Sequence, residues 1–507
     1  MLSSSSSLRR WCVPALAVGT MLAAASMGLA QDAAAPVAAP AAAVTRPEIN
    51  TGSTAWMLVS AALVLLMMPG LALFYGGMSR AKSVLNTFLN VMVCCGVIGV
   101  LWVVVGYAIV FPVVSDSNSL ISVGTVEYDD PANAGQKVQA INSILAFDPS
   151  LIGLSAISTP DVKNDDGSIK SYATWSNPVT SGDTVGAVST GVPELVFAMF
   201  QGMFAIITPA LIIGSVVERV RFGPLLAFLV LWSLIVYCPI AHMVWNVNGY
   251  LFQKGVLDFA GGTVVHVLAG VSALALTIVV GPRVGYMKPA MAPHSLGLTL
   301  IGAGLLWFGW FGFNAGSAIA IAGAEHPVAG GVAALAFATT QTAAAAAATG
   351  WMLTEWLKDG KPTILGFASG MIAGLVVITP CAGHVTPGVA IGLGFSAGIA
   401  CYFACQLKKV FKYDDSLDAF GVHGVGGAIG AIAVGYFAVR PVTGSMEQVM
   451  KQLVGLGIAV VWAFGVSMVL ALVIKAIVGL RVEEKSEEEG VDVVLHGESG
   501  YNLSISN

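Results

Sequence analysis

The chain has 507 residues, of which 56% are hydrophobic and only 10% carry a charge. Because soluble domains average about 25% charged residues, this composition excludes a soluble globular protein and indicates a polytopic membrane protein. The net charge of -5 carries no signal for nucleic-acid binding. The seven cysteines show no metal-ligand spacing, so neither a metal site nor a cofactor is expected.

The N-terminus has the pattern of a secretory signal. Arg9 and Arg10 precede an apolar stretch and a small-residue cleavage site near residues 28–30. We therefore expect a cleaved signal peptide over 1–30, followed by an Ala/Pro-rich linker over 31–53. An uncleaved first helix is the alternative.

Eleven apolar segments of membrane-spanning length follow and predict an all-α polytopic membrane domain over 54–480. They are expected near 55–75, 84–112, 193–217, 225–245, 261–281, 295–315, 330–352, 364–381, 388–407, 421–439 and 453–478. Lys and Arg cluster in every second loop, which by the positive-inside rule faces the cytoplasm. This puts the mature N-terminus outside and the C-terminus inside, in agreement with a removed signal peptide.

Two polar regions interrupt or follow the apolar segments. Residues 116–190 are long, acidic and rich in Ser, Asn, Pro and Gly, which predicts an exported loop that forms a solvated cap. The tail over 481–507 begins with a Glu-rich run, which is usually solvated. The motif GVDVVLHGE after that run suggests a docked, regulatory tail on the cytoplasmic side.

Two histidines lie alone in Gly-rich apolar runs, His266 in segment five and His423 in segment ten. Ionisable side chains inside a membrane are costly and usually mark a pathway or a relay. Asp258 and Asp418 precede them, and five segments separate the two runs, which suggests an inverted repeat with a site near the bilayer midplane. The structural alternatives are histidines bonded to nearby carbonyls and an Asp258 that caps helix five.

Aromatic residues form a second group, in MFQGMF, AHMVW and WFGWFGFNAGSA. The group includes Phe204, Trp245, Trp310 and Phe313. Aromatic faces bind cations by about 0.5–2 kcal/mol, depending on desolvation. The alternatives are helix packing and, for Trp245, the aromatic belt at the membrane surface where the chain meets lipid.

These motifs, together with MMPGLALFYGGMSRAKSVLN and FQGMFAIITPALIIGSVVERVRF, resemble the Amt branch of the ammonium transporter (Amt/Mep/Rh) family. The resemblance runs from about residue 54 to 502, apart from the exported loop, which departs from the compact family pattern. It implies eleven helices with an inverted five-helix repeat (segments 1–5 and 6–10), a homotrimer, and a multi-pass protein of the cell inner membrane. The implied substrates are ammonium and its analogue methylammonium.

The resemblance also implies roles for the outer residues. Trp245 and Ser317 resemble an outer recruitment site in which Phe204 joins the cation–π contact and the Ser317 hydroxyl accepts a hydrogen bond. Phe204 and Phe313 resemble a stacked pair that gates the pore. Asp258 resembles the aspartate that shapes this site and assists deprotonation.

Deeper in the pore, His266 and His423 resemble a paired-histidine relay and Trp310 a residue that lines the lumen. The tail resembles a segment that couples to PII-type signal proteins. Two alternatives remain, an Rh-like channel for neutral gas and an ammonium sensor that acts through its tail. No nucleophile–base pair, phosphate loop or metal cluster is present in the sequence, so an enzyme is not expected.

Overall fold

The computed structural model describes residues 49–129, 137–158, 160–163, 169–172, 174–181, 184–288, 291–322 and 328–501. The expected signal peptide (1–30) and most of the expected linker (31–53) lie outside the described residues. The last six residues of the tail also lie outside them.

Within the described residues, ten helices are long and apolar enough to cross a membrane, and Ile364–Ile378 is a shorter apolar helix. The helices are α1 (Thr51–Met78), α2 (Ala81–Val110), α3 (Glu194–Ile213), α4 (Phe222–Trp245), α5 (Gly262–Val280), α6 (Leu296–Ala322), α7 (Val328–Asp359), α8 (Ile364–Ile378), α9 (Pro387–Phe411), α10 (Phe420–Phe437) and α11 (Met446–Ile477). Each of the eleven predicted segments coincides with one of these helices. The 15 residues of α8 rise only about 22 Å, less than the roughly 30 Å hydrocarbon core.

The loop between α2 and α3 corrects the expectation of an all-α fold. Its described residues form three two-stranded antiparallel sheets. The strands are β1 (Ser119–Asp129), β2 (Lys137–Ala146), β3 (Pro160–Lys163), β4 (Ile169–Tyr172), β5 (Thr174–Ser181) and β6 (Thr184–Pro193). Short runs of Val, Ile, Thr and Tyr that alternate with polar residues, as in KVQAINSILA, favour strands over helices.

The helix ends fit their local sequence. The side chains of Asn50, Thr363, Thr386 and Ser445 each accept a hydrogen bond from a backbone amide in the first turn of α1, α8, α9 and α11. These are the residue types that best satisfy the unpaired amides at a helix start.

We call the end of the bundle that carries β1–β6 the cap side and the opposite end the tail side.

Helices α5 and α10 cross at glycines. A Cβ built on Gly270 would lie 2.1 Å from the Gly424 nitrogen, and one built on Gly427 would lie 3.0 Å from the Cβ of His266. Both helices begin with a π-helical turn, over Gly262–Val267 and Phe420–Gly424. The absence of side chains at the crossing lets the two backbones approach closely enough for their histidines to meet.

The tail side contains buried charges that pair with one another. Arg283 donates to both carboxylate oxygens of Asp414 at 2.8 Å, and Arg80 donates to Glu218 at 2.6 Å. Burial disfavours ionisation of Asp414, but the hydrogen bonds and charge of Arg283 outweigh it and lower the pKa of that carboxyl.

The tail packs onto this side of the bundle. The Asp492 carboxylate accepts hydrogen bonds from the backbone amides of Leu85 and Asn86 near the start of α2, at 3.0 and 2.7 Å. Glu487 is buried and accepts from Arg481 and from the amide of Val284. The described tail residues are therefore bound to the membrane domain.

Candidate functional site

Three aromatic rings meet on the cap side of the bundle. Phe204 of α3 and Phe313 of α6 lie 4.2 Å apart between ring centroids, with an angle of 33° between their planes. Trp245, the last residue of α4, lies 5.8 Å from Phe204 in an edge-to-face arrangement. Both phenylalanines are buried, whereas Trp245 is partly exposed. The indole therefore lies between the surface and a closed phenyl pair.

Ser317 lies one helical turn beyond Phe313 toward the cap side. Its hydroxyl donates to the Phe313 carbonyl at 2.9 Å. Because the hydroxyl proton is bound to that carbonyl, the lone pairs of the Ser317 oxygen remain able to accept a hydrogen bond. The geometry suits a donor-rich cation rather than an anion.

The carboxylate of Asp258 is bonded to nearby backbone amides. The carboxylate accepts hydrogen bonds from the amides of Gly261, Thr263 and Val264 at 3.0–3.1 Å, so it caps the start of α5. Its backbone carbonyl accepts from the indole nitrogen of Trp245 at 3.2 Å. Burial raises the pKa of the Asp258 carboxyl to about 6, against the opposing effect of the amide hydrogen bonds. Asp258 thus connects the Trp245 indole to the helix that carries His266.

The two histidines are in direct contact. Nδ1 of His266 lies 3.3 Å from Nδ1 of His423, and both side chains are buried. Since each neutral imidazole has one donor and one acceptor nitrogen, one Nδ1 donates to the other. Nε2 of His266 is buried without a hydrogen-bond partner in the described structure. The alternative in which each ring is bonded to a carbonyl does not describe this pair.

Trp310 completes the buried cluster. Its ring stacks on His266 with centroids 5.3 Å apart and planes 20° apart. The indole nitrogen donates to the Thr379 hydroxyl at 2.9 Å, which fixes the ring at the end of α8. Phe313 also lies 6.1 Å from His266, measured between ring centroids. The phenyl pair, the Trp310 indole and the two imidazoles therefore form one continuous aromatic column.

Two cavities lie along this column. The first has an empty volume of ≈ 320 Å³ and is lined by apolar side chains together with Trp310, Phe313 and both histidines. The second, of ≈ 390 Å³, also touches His423 and extends to Asp418 on the tail side. The pathway outlined by these cavities is apolar between Phe313 and the histidines and becomes polar beyond His423.

The structure corrects the sequence match between Asp258 and Asp418. The counterpart of Asp258 is Asp415, whose carboxylate accepts from the amides of Ala419 and Phe420 at the start of α10. Asp418 instead pairs with Lys408 at 2.6 Å, and 36% of its side chain is exposed. Spacing was the signal that could have identified Asp415, because it precedes His423 by eight residues, as Asp258 precedes His266.

Comparisons with known proteins agree with this architecture. The model of the Ammonium Transporter Family matches residues 55–158 and 163–501. A putative ammonium transporter from Methanothermobacter thermautotrophicus is 42% identical over 90% of this chain and its own full length. The ammonium transporter of Bacillus subtilis is 40% identical over the same shares. Among solved structures, Saccharomyces cerevisiae Mep2 has a TM-score of 0.69 at 30% identity, over 91% of this chain and 94% of its own.

Another solved structure, a sensor Amt protein, has a TM-score of 0.72 at 26% identity and covers 87% of this chain and 97% of its own. The chain is therefore a helical, multi-span membrane protein that belongs to the Ammonium Transporter Family.

The two aspartates give a first prediction. Asp415 is 1% exposed and holds two amides of α10, so Asp415→Ala should lower stability by about 1–2 kcal/mol. Asp418→Ala removes only a partly exposed ion pair and should cost less than about 1 kcal/mol. Thermal melting of both purified variants in the same detergent measures the difference. Equal shifts would contradict the assignment of Asp415 as the capping residue.

Proposed function

We propose that this chain transports ammonium by binding it on the cap side, deprotonating it and conducting ammonia past the paired histidines. The observation that carries the proposal is the contact between His266 and His423 below a closed pair of phenyl rings. Membership of the Ammonium Transporter Family supports the substrate, and methylammonium is its expected analogue.

Recruitment takes place at Trp245, Phe204 and Ser317. The two aromatic rings offer π faces to the cation, and the Ser317 oxygen accepts one of its N–H groups. Asp258 orders the site through the indole that it binds and provides negative charge nearby. The four residues replace part of the hydration shell that ammonium loses on entry.

Deprotonation follows because an intact cation does not suit the apolar cavity beyond Phe313. An isolated charge in such surroundings loses hydration worth tens of kcal/mol in a Born estimate. Neutral ammonia avoids that penalty and passes when the rings of Phe204 and Phe313 move apart. Trp310 then lines the lumen in front of the histidines.

The histidine pair takes up the proton that ammonium loses and carries it separately from the neutral ammonia. The Nδ1···Nδ1 contact of 3.3 Å joins the two rings by a hydrogen bond along which a proton can pass, and the unpartnered Nε2 of His266 is available to ammonia or to a proton. Beyond His423, the cavity that reaches Asp418 leads to the tail side. Ammonia and the separated proton can recombine there as ammonium.

The proposed topology follows from charge and from the repeat. The Asp–His spacing of eight residues and the π-helical turns of α5 and α10 support an inverted five-helix repeat in eleven membrane helices. Lys and Arg clusters put the tail side in the cytoplasm and the mature N-terminus outside. The cleaved signal peptide and the location in the cell inner membrane belong to this proposal.

The proposed assembly is a homotrimer with one pore per subunit. Apolar residues on α1 and α6, among them Leu58, Ile301 and Phe308, are more than half exposed and would meet lipid or a neighbouring subunit. On the tail side, the docked tail supports coupling to a cytoplasmic PII-type signal protein.

A sensing role is the second candidate because a sensor Amt protein shares this fold. The Rh-like gas channel is disfavoured because Trp245 and Ser317 supply a recruitment pair for a cation.

Current measurements on purified protein in liposomes test the function. An ammonium pulse on a solid-supported membrane should give a current, and a matched potassium pulse should give none, because potassium has no proton to lose. Silence for both ions with a rise of internal pH would indicate conduction of neutral ammonia. Silence without a pH change would overturn the proposal.

Substitution of His266 or His423 should change ammonium flux more than it changes folding. We expect His266→Ala or His423→Ala to change ammonium flux by about 100-fold or more, the scale of lost acid–base participation, with little change in expression. His294→Ala is the control, since His294 bonds Ser79 and Tyr501 on the tail side. Wild-type ammonium uptake and selectivity in both pore variants would contradict the proposed histidine relay.

Ser317 should affect binding more than turnover. Ser317→Leu removes the acceptor, so the half-saturating ammonium concentration should rise by about tenfold, with a smaller effect at saturation. Ser317→Thr retains the hydroxyl and serves as the control. Uptake measured from low to high ammonium separates the two effects, and an equal loss at all concentrations would argue against recruitment at Ser317.

A further inference from the structure

The position of Trp245 depends on the turn that follows it. Trp245 ends α4, and residues 246–249 fold back onto that end. A Cβ built on Gly249 would lie 2.3 Å from the His242 carbonyl oxygen and 2.5 Å from that of Met243. The turn therefore packs directly against the last turn of α4, with no room for a side chain between them.

One side of this turn is fixed to the end of α2. The side-chain nitrogen Nδ2 of Asn246 donates to the carbonyls of Val110 and Pro112 at 3.1 and 3.0 Å. His242 contacts the same Val110 carbonyl through Nδ1 at 3.0 Å. His242 is therefore a structural residue that holds the end of α4.

The other side is fixed by the exported loop. The backbone amide of Ser143, in β2, donates to the Asn248 carbonyl at 2.7 Å, and Ser143 pairs with Gly249 as a parallel bridge. Ser143 is fully buried at this contact. The β1–β2 hairpin thus continues the backbone hydrogen bonding of the turn behind Trp245.

The same turn leads directly to the recruitment residues. Trp245 contacts Phe204 with its ring and Asp258 with its indole nitrogen. A shift of residues 248–249 would therefore change the distance between the indole and the Phe204 ring. Cation–π contacts depend on such distances, because the cation must lie within about 6 Å of each ring centroid.

We propose that the β1–β2 hairpin of the exported loop, through the Ser143 amide, positions Trp245 and so sets the affinity of the outer site for ammonium. Ser143 is a positioning residue, since it acts on the cation only through Trp245. This inference rests on the proposed transport function. It gives the exported loop a role in recruitment rather than that of a solvated cover.

Two point variants of Ser143 distinguish the role of its backbone amide from that of its side chain. Ser143→Pro removes the N–H donor to Asn248 and should raise the half-saturating ammonium concentration by about 3- to 10-fold, as expected for one lost buried hydrogen bond. The maximal rate should stay within about twofold. Ser143→Ala keeps the amide and should match the wild type.

Two hairpin variants test the inference without proline. In the first, Asn-Gly replaces residues 123–142, which joins the paired residues Ser122 and Ser143 through a tight turn and keeps the Ser143 amide. In the second, Gly-Gly replaces residues 119–146, which joins Asn118 to Phe147, already bonded to each other, and removes Ser143.

The shortened hairpin should retain wild-type affinity, and the full deletion should show the same rise as Ser143→Pro. Wild-type affinity in the full deletion would overturn the role of the hairpin, and so would a fall in maximal rate without a change in affinity. Ammonium transport by the wild-type protein tests the proposed function separately.

Discussion

The free energy of a bare cation in apolar surroundings is the constraint on which the architecture depends. Phe204 and Phe313 are in contact, and the cavity behind them is lined by apolar side chains up to the histidines. Among the described residues, none of the side chains that line that stretch is a carboxylate, so an ion gains nothing there that replaces its hydration. In the proposed mechanism, the polar groups at the two ends bind and release ammonium, and the histidines take up the proton that it loses.

The contact between the two imidazoles depends on the close approach of the α5 and α10 backbones rather than on attraction between the rings. His266 and His423 come from helices that enter the bundle from opposite ends, and they meet only because Gly270 and Gly424 allow α5 and α10 to touch. Small residues at a crossing are the usual means of close approach in a membrane, where no hydrophobic force draws helices together. The same aspartate cap, eight residues before each histidine, fixes how far each ring reaches.

Much of this arrangement was readable from the sequence, and the failures have physical causes. Apolar length located the helices because a bilayer imposes a minimum span. The meeting of His266 and His423 was anticipated from their similar settings. Asp415 was missed because Asp418 has the same residue type and lies closer to the Gly-rich run, although the spacing of eight residues before the histidine matches Asp258 only at Asp415. In the structure, hydrogen bonds to amides distinguish the cap at Asp415 from the ion pair of Asp418. The strands of the exported loop were missed because polar composition masks short period-two patterns.

Contacts outside the membrane helices fix both ends of the proposed pathway. On the cap side, the Ser143 amide binds the turn behind Trp245. On the tail side, Arg283 binds Asp414, beside the residue that caps α10, while the adjacent Val284 amide binds Glu487 of the tail. The histidine pair lies between these two anchors on helices that begin at opposite ends. Under the two proposals, the β1–β2 hairpin acts on ammonium binding at the cap side. The tail contacts the segment beside the start of α10 at the tail side, and neither enters the apolar stretch.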